Sequence, residues 1–319
     1  MTGILVVIPC LNEEAALPGL LRQQLAEPGD HSIVVADGGS TDSSRAIVAA
    51  VARDHPRLTL IDNPARLQAA GVNRAVAELG GDARWLVRID AHCDYPEGYV
   101  RKLIDTAERQ HATSVVVPMV SRGETCFQRA AATAQNSRLG TGGSPHRHVG
   151  TGAWVDHGHH ALMDMTLFRQ VGGYRETMSH NEDAELDLRL AAAGGRLWLE
   201  PRLALGYLPR RSAAQLWRQY LGYGRGRAQT LLLHRRRPKL RQTLPLAVPA
   251  AALVALLTPV HWLFAAPLLG WALLCLAGGI AIGARAGGGC AMLSGVPAMI
   301  MHLAWGLGFL ARIARRRML

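Results

Sequence analysis

Short apolar runs alternate with amphipathic stretches from the start of the chain to about residue 120. Residues 4–8, 32–36, 58–61, 85–89 and 114–118 have the length and apolar character of strands. Between them, residues 13–26, 42–54, 68–79 and 97–110 repeat apolar positions at helical spacing, as in Leu17, Leu20, Leu21 and Leu25. This βαβα order predicts an α/β fold with a mainly parallel sheet and helices on both faces. Ligands of such sheets sit beyond the carboxyl ends of the strands, which here means residues 9–13, 37–41 and 90–96.

The rhythm loosens from 121 to about 210, where the Gly- and His-rich stretch GTGGSPHRHVGTGAWVDHGHH is followed by one clear helical pattern over 181–193. Residues 213–233 are amphipathic, setting Leu216, Trp217, Tyr220, Leu221 and Tyr223 beside Arg218, Arg225 and Arg227, which suits a helix lying at a membrane interface. Three apolar stretches follow, at 244–264, 266–284 and 290–311, each near the ~20 residues a spanning helix needs. Pro249, Pro259, Pro267 and Pro297 interrupt them, and membrane helices tolerate such breaks better than soluble ones. The predicted organisation is a catalytic domain over 1–210, a basic interface helix over 211–243 and a membrane domain over 244–319.

Charge sharpens that division. Residues 244–311 contain no Asp or Glu and a single strong base, Arg285. The formal charge of +11 is concentrated in His234, Arg235, Arg236, Arg237, Lys239 and Arg241, then in Arg312, Arg315, Arg316 and Arg317. Both clusters flank apolar runs, where basic residues face the cytoplasm and anionic headgroups, so the expected location is the cytoplasmic membrane, multi-pass, with the catalytic domain in the cytoplasm. Three crossings would nevertheless leave the terminal RIARRRML outside, so either one stretch is re-entrant or interfacial or the positive-inside tendency fails. No aromatic-interleaved basic face points to nucleic acid. Cys10, Cys93, Cys126, Cys275 and Cys290 form no C-x-x-C pair or framework spacing, which fits a reducing compartment. The opening ILVVIP lacks a basic leader and runs into Asn12, Glu13 and Glu14, so it reads as a buried first strand.

Acidic motifs fall at successive strand ends: PCLNEE at 9–14, DGGSTD at 37–42 and RIDAHCDYP at 88–96. Each has a local reading, because Gly38 and Gly39 permit a tight turn, Ser40, Thr41 or Asp42 can cap a helix, and Asp90 and Asp94 can cap one beginning near Pro96. The chemical reading of the third is a carboxylate beside an imidazole holding a divalent ion, with Mg²⁺ preferring oxygen donors and Mn²⁺ accepting nitrogen more readily. The histidines His157, His159 and His160 lack the spacing of a structural zinc finger and suit a buried or acceptor-site role, or a further ligand to the same metal from His157 or His160.

In this order, with HNEDAELDLRL at 180–190, the motifs resemble the inverting family 2 glycosyltransferases of the GT-A fold, a Rossmann-like nucleotide-sugar-binding architecture, over about residues 3–235. The resemblance implies that Pro9, Glu13 and Asp37 line the uridine site and that Asp90 and His92, in the DxD positions, bridge ribose, Mn²⁺ or Mg²⁺, and diphosphate. It also implies that Glu182 and Asp183 are the family's ED pair, with Asp183 the base that deprotonates the acceptor hydroxyl. Arg225 and Arg227 stand where relatives carry QxxRW, but no Trp is present and the spacing differs, which argues against processive polymerisation. These arginines reach the diphosphate or contact headgroups. DAHCDYP, VGTGAWVDHGHHALMD, VGGYRETMSHNEDAELDLRL and QYLGYGRGRA look like the ExoA-type glucosyltransferases of succinoglycan and related exopolysaccharide pathways. That likeness implies transfer of glucose from UDP-glucose to a polyprenyl-diphosphate-linked sugar at the membrane. The other readings are a polyprenyl-phosphate sugar synthase and a non-catalytic nucleotide-binding scaffold.

Overall fold

The computed structural model describes residues 3–143 and 150–316. His146, Arg147 and His148 of the His-rich stretch and Arg317 of the second basic cluster lie outside the described residues. The described residues fall into two compact units, within Met1–Met119 plus Val149–Gly206 and within Val120–His148 plus Tyr207–Leu319. Segment 120–143, from the middle of the chain, thus groups with the C-terminal helices.

In the first unit the chain runs β1 (Ile4–Cys10), α1 (Leu17–Ala26), β2 (His31–Asp37), α2 (Ser44–Ala52), β3 (Leu58–Asp62), α3 (Gln68–Leu79), β4 (Trp85–Arg88), β5 (Cys93–Asp94), α4 (Tyr99–Gln110) and β6 (Ser114–Val117). After the short β7 (Met119–Ser121) and the helices α5 (Cys126–Gln135) and α6 (Arg138–Thr141) come β8 (Ala153–Val155), β9 (His159–Asp164), α7 (Met165–Gln170), α8 (Glu182–Ala192), β10 (Leu197–Leu199) and β11 (Leu205–Tyr207). Eight strands form one sheet in the order β3-β2-β1-β4-β9-β6-β10-β8. The strand-length runs read from the sequence are β1, β2, β3, β4 and β6.

Strands β3, β2, β1 and β4 are parallel neighbours, with Val6 opposite both Ile33 and Val87. Their continuous apolar runs suit strands covered on both faces, and Val6, Val7, Ile33, Val35 and Val87 are wholly buried. On one face Leu5, Val7, Val34 and Leu86 pack with Val72 and Ala75 of α3, Met163 of β9 and Leu186 and Leu190 of α8. Gly71 lets α3 approach the sheet, since a Cβ there would stand 3.1 Å from the Ala36 side chain and 2.9 Å from Asn63.

Strand β9 is the departure from the expected pattern. It inserts antiparallel between β4 and β6, pairing Val87 with Leu162 and Trp85 with Asp164. Continuing that register carries His159 and His160 to the carboxyl end of β4, beside Asp90.

The second unit contains α5 and α6 together with α9 (Ala213–Leu233), α10 (Leu240–Thr243), α11 (Ala247–Ala255), α12 (Ala266–Arg285) and α13 (Gly295–Arg316). Ala131 and Ala134 of α5, Leu216 and Tyr220 of α9, and Ala298, Met301 and Ala304 of α13 share one core. Helix α5 starts with a capping box, Thr125 and Gln128 exchanging bonds between side chain and backbone. Cys126 is disulfide-bonded to Cys290, against the unpaired thiols that a reducing compartment implies: 164 residues separate the two in sequence, too far for any spacing pattern, and packing of α5 brings them together. Of the three apolar stretches, two helices, Trp262–Arg285 and Gly289–Arg315, are long and apolar enough to cross a membrane, and the first stretch yields only the shorter Leu240–Ala255.

Candidate active site

The acidic motifs converge beyond the carboxyl ends of β1, β2 and β4, held by bonds between loops. Asn12, at φ 57°, accepts from the Thr41 amide at 2.8 Å, and its own amide donates to Ser40 Oγ. Asn tolerates this left-handed backbone better than bulkier residues do. The Glu13 amide donates to Ser44 Oγ at 2.8 Å and the Glu14 amide to Asp42 at 3.1 Å, so PCLNEE and DGGSTD fold as one surface.

Asp37 is buried at the end of β2 and builds its own turn. Its carboxylate accepts from the amides of Gly39 and Ser40, from Ser40 Oγ at 2.5 Å and from Arg45 at 2.8 Å, while Gly39 takes φ 81°. Burial pushes the Asp37 carboxyl up, but these donors outweigh it and hold the group below its ordinary range. Arg45 also pairs with Asp62 at 2.7 Å, tying the ends of β2 and β3. Pro9 lies one residue before the end of β1, opposite Ala36.

Asp90 follows β4 with its backbone fixed by Tyr95, whose hydroxyl accepts from the Asp90 amide at 2.7 Å and donates to the Asp90 carbonyl at 3.1 Å. Its Oδ1 accepts from Gln68 at 2.5 Å and from Arg88 at 3.3 Å. Its Oδ2 faces His159 Nε2 at 3.5 Å. Neither Asp90 nor Asp94 caps the next helix: α4 begins after Gly98, in the left-handed region, without a side-chain cap. His92 is half exposed and its Nδ1 lies 2.9 Å from Glu13 Oε1, which joins the first and third motifs.

Glu182 and Asp183 open α8, where the helix N-terminus favours negative charge. The residue before them, Asn181, has φ 61° and turns the chain into the helix. Asp183 Oδ1 accepts from Arg88 at 2.5 Å, and its Oδ2 lies 3.8 Å from His159. Burial would raise the Asp183 carboxyl, yet Arg88, His160 and His159 overcome it and hold the carboxyl well below the usual range. Glu182 goes the other way: burial, then the adjacent Asp183 charge, raise it. Two neighbouring carboxyls in opposite protonation tendencies are a common device of acid and base chemistry.

Arg88 is the group the sequence reading quoted but left unassigned. It is 4% exposed and stands among Asp90, Asp183, Glu182 and the Tyr174 hydroxyl. A cation inside the apolar run WLVRI is itself a sequence signal, since a buried charge demands partners. The His160 ring is occupied and not open to a metal: Nε2 lies 2.6 Å from Asp187 and Nδ1 2.6 Å from the Tyr174 hydroxyl. Burial lowers the His160 pKa while Asp187 and Asp183 raise it, and the net shift is upward. His159 is the histidine that faces Asp90, and burial keeps it on the neutral side. Arg225 and Arg227 belong to α9, in the second unit, with Arg225 exposed.

Among the described residues no three His, Cys, Asp or Glu side chains form a metal-holding group. Asp90, held below the ordinary carboxylate range by Arg88, His159 and His92 against the upward push of burial, and the accessible His92 are one hard and one borderline donor. Such a pair of donors is chemically suited to a divalent ion.

Residues 5–172 match the family described as Glycosyl transferase family 2. Over 313 residues, 97% of this chain and 94% of the relative, the sequence is 50% identical to the succinoglycan biosynthesis protein ExoA of Rhizobium meliloti (strain 1021). It is 26% identical over 140 residues, 42% of each chain, to the undecaprenyl-phosphate 4-deoxy-4-formamido-L-arabinose transferase of Photorhabdus laumondii subsp. laumondii. Among solved structures, the mannosyltransferase PcManGT from Pyrobaculum calidifontis in complex with GDP-Man and Mn²⁺ superposes with a TM-score of 0.66 at 19% identity, covering 98% of this chain and 87% of that one. At that identity the likeness is one of fold.

Proposed function

The chain belongs to glycosyl transferase family 2 and has the GT-A fold, and from that premise we propose that it moves a hexose, glucose from UDP-glucose, onto a polyprenyl-diphosphate-linked sugar in exopolysaccharide assembly, attached to the cytoplasmic membrane with its catalytic unit in the cytoplasm. The observation that carries the reading is the bridging of Asp90 and Asp183 by Arg88 at the carboxyl ends of the parallel strands. Half identity to ExoA over nearly the whole chain supports the pathway, and a lipid-linked acceptor explains the apolar C-terminal helices.

In this reading Pro9, Glu13 and the Asp37 turn receive the uridine, while Asp90 and His92 face the diphosphate. When bound there, Mn²⁺ or Mg²⁺ supplies positive charge to the leaving nucleoside diphosphate. Arg225 and Arg227, on α9 of the second unit, are left to headgroup contact. Asp183 keeps Oδ1 on Arg88 and presents Oδ2 to the acceptor hydroxyl. As the acceptor oxygen forms its bond to the anomeric carbon, the bond to the diphosphate breaks on the opposite face and the hydroxyl proton passes to Asp183, so one displacement inverts the centre. Arg88 holds Asp183 ionised and oriented for that step.

A second reading, transfer to polyprenyl phosphate itself, is favoured by the partial likeness to undecaprenyl-phosphate transferases. Radiolabelled UDP-glucose supplied with either polyprenyl phosphate or polyprenyl-diphosphate-galactose separates them. Label in the diphosphate-linked acceptor is the expected outcome. Label in polyprenyl phosphate alone supports the synthase, and none in either acceptor contradicts glucose transfer.

A further inference from the structure

The three apolar stretches suggest a multi-pass attachment; we propose instead, resting on the membrane attachment above, that α9, α12 and α13 form one block that does not cross the bilayer, and that the apolar surface of α11 and α12 enters a single leaflet.

The block is argued from helix directions. Gln128 of α5 donates to the Pro209 carbonyl at 2.9 Å, just before α9, and Cys126, half a turn away, is bonded to Cys290, just before α13. The entrances to α9 and α13 therefore lie together. About three turns into each helix they still touch: Gly224 has no room for a Cβ against the backbone of Trp305 and Phe309, nor Gly308 against that of Leu221. Helices that meet at their starts and again three turns on run parallel. Helix α12 runs the other way along α13, with Gly283 against Ala291, Gly279 against Gly295 and Trp271 donating to His302 at 3.4 Å.

What holds for one of these helices holds for all three, because each is packed along α13. A crossing α13 would carry α9 across with it, and α9 exposes Arg218 and Arg225 on its outer face. Arginines facing lipid at mid-membrane depth are among the most costly side chains to insert. The apolar surface lies elsewhere. Leu253, Leu256, Val260, Trp262, Leu273 and Leu274 are exposed on α11, the turn after it and α12, and Leu274 is 74% exposed. A bilayer's acyl chains are the occupant that matches an uncharged face rimmed by cations. Parallel packing puts Arg235, Arg236 and Arg237, after α9, at the same end of the block as Arg312 and Arg315 of α13, in reach of anionic headgroups. With no crossing, both basic clusters stay on the cytoplasmic side, which removes the conflict that three crossings create.

The test uses the full chain in inner-membrane vesicles of both orientations, carrying Ala286→Cys, in the turn after α12, or Arg315→Cys, near the end of α13. A membrane-impermeant maleimide is applied, with the unmodified chain as background. Labelling of both positions only in inside-out vesicles is expected; a crossing hairpin would label them from opposite sides, and that result, or labelling of 286 only in right-side-out vesicles, overturns the inference. The pair Leu256→Glu with Leu273→Glu should lower partition onto vesicles of neutral lipid by about tenfold or more, and unchanged partition also counts against it. If the unmodified chain does not sediment with vesicles of anionic lipid, the membrane attachment itself fails, a result distinct from labelling on two sides.

Discussion

Arg88 links the two acidic groups on which the chemistry depends, holding Asp90 on one side and Asp183 on the other. Replacing Asp183 by Asn keeps the side-chain volume and removes the proton acceptor. Transfer should fall by roughly 10²-fold or more, the usual contribution of a positioned general base, with little change in donor binding by calorimetry. Unchanged transfer would remove Asp183 from the mechanism. His92 makes a different forecast, because its half-exposed ring lies against Glu13, where the first and third acidic motifs meet. His92→Asp should retain transfer and shift preference from Mn²⁺ towards Mg²⁺, whereas His92→Ala should lose most metal-dependent transfer in a comparison of the two ions. Equal activity of the alanine variant would take His92 out of the metal site. Asp37, Asp90 and Asp183 stood out in the sequence because each belongs to a short acidic motif at a strand end or helix start. Arg88 and His159 were not, since their meaning depends on which side chains surround them, and that is decided by the insertion of β9.

At the scale of elements, the periodic runs located β1, β2, β3, β4, β6 and the helices between them because each is long enough for its period to stand out. Strands β8, β10 and β11 have three residues each, too few for alternation to register, and HHALMD of β9 has a buried run without a period. Capping was the other misreading. The first turn of α4 is served by Glu27, from the end of α1, which accepts from the Val100 amide at 3.1 Å. Burial raises the Glu27 carboxyl despite this bond and those of its neighbours. With its folded pKa above the unfolded one, Glu27 contributes most below the ordinary carboxylate range, and the contribution is lost as pH rises through the folded value. Glu27→Gln retains an acceptor without the titration, so thermal melts from pH 4.5 to 8 should show the variant gaining on the wild type as pH rises. Parallel pH dependences would contradict the buried-carboxylate account.

For the whole molecule, the decisive fact is that the second unit is assembled from two distant parts of the chain. The Cys126–Cys290 bond closes a 164-residue separation, and closing a loop of that size restricts the unfolded chain by about 2–5 kcal/mol. Cys290→Ser should therefore lower the thermal midpoint of the detergent-solubilised protein by several degrees, with an equal effect of reductant on the wild type; no shift in either would show that helix packing alone joins α5 to α13. The same interleaving sets a schedule for synthesis. Helix α5 leaves the ribosome with Ala131 and Ala134 uncovered; Leu216 and Tyr220 follow, but the Ala298 and Met301 that complete the core arrive more than 160 residues later. At bacterial elongation speeds that is a wait on the order of ten seconds. A chain released early, or cut after residue 210 to obtain a soluble enzyme, keeps that uncovered face permanently, and such a fragment should be a substrate for chaperones and proteases rather than a working transferase.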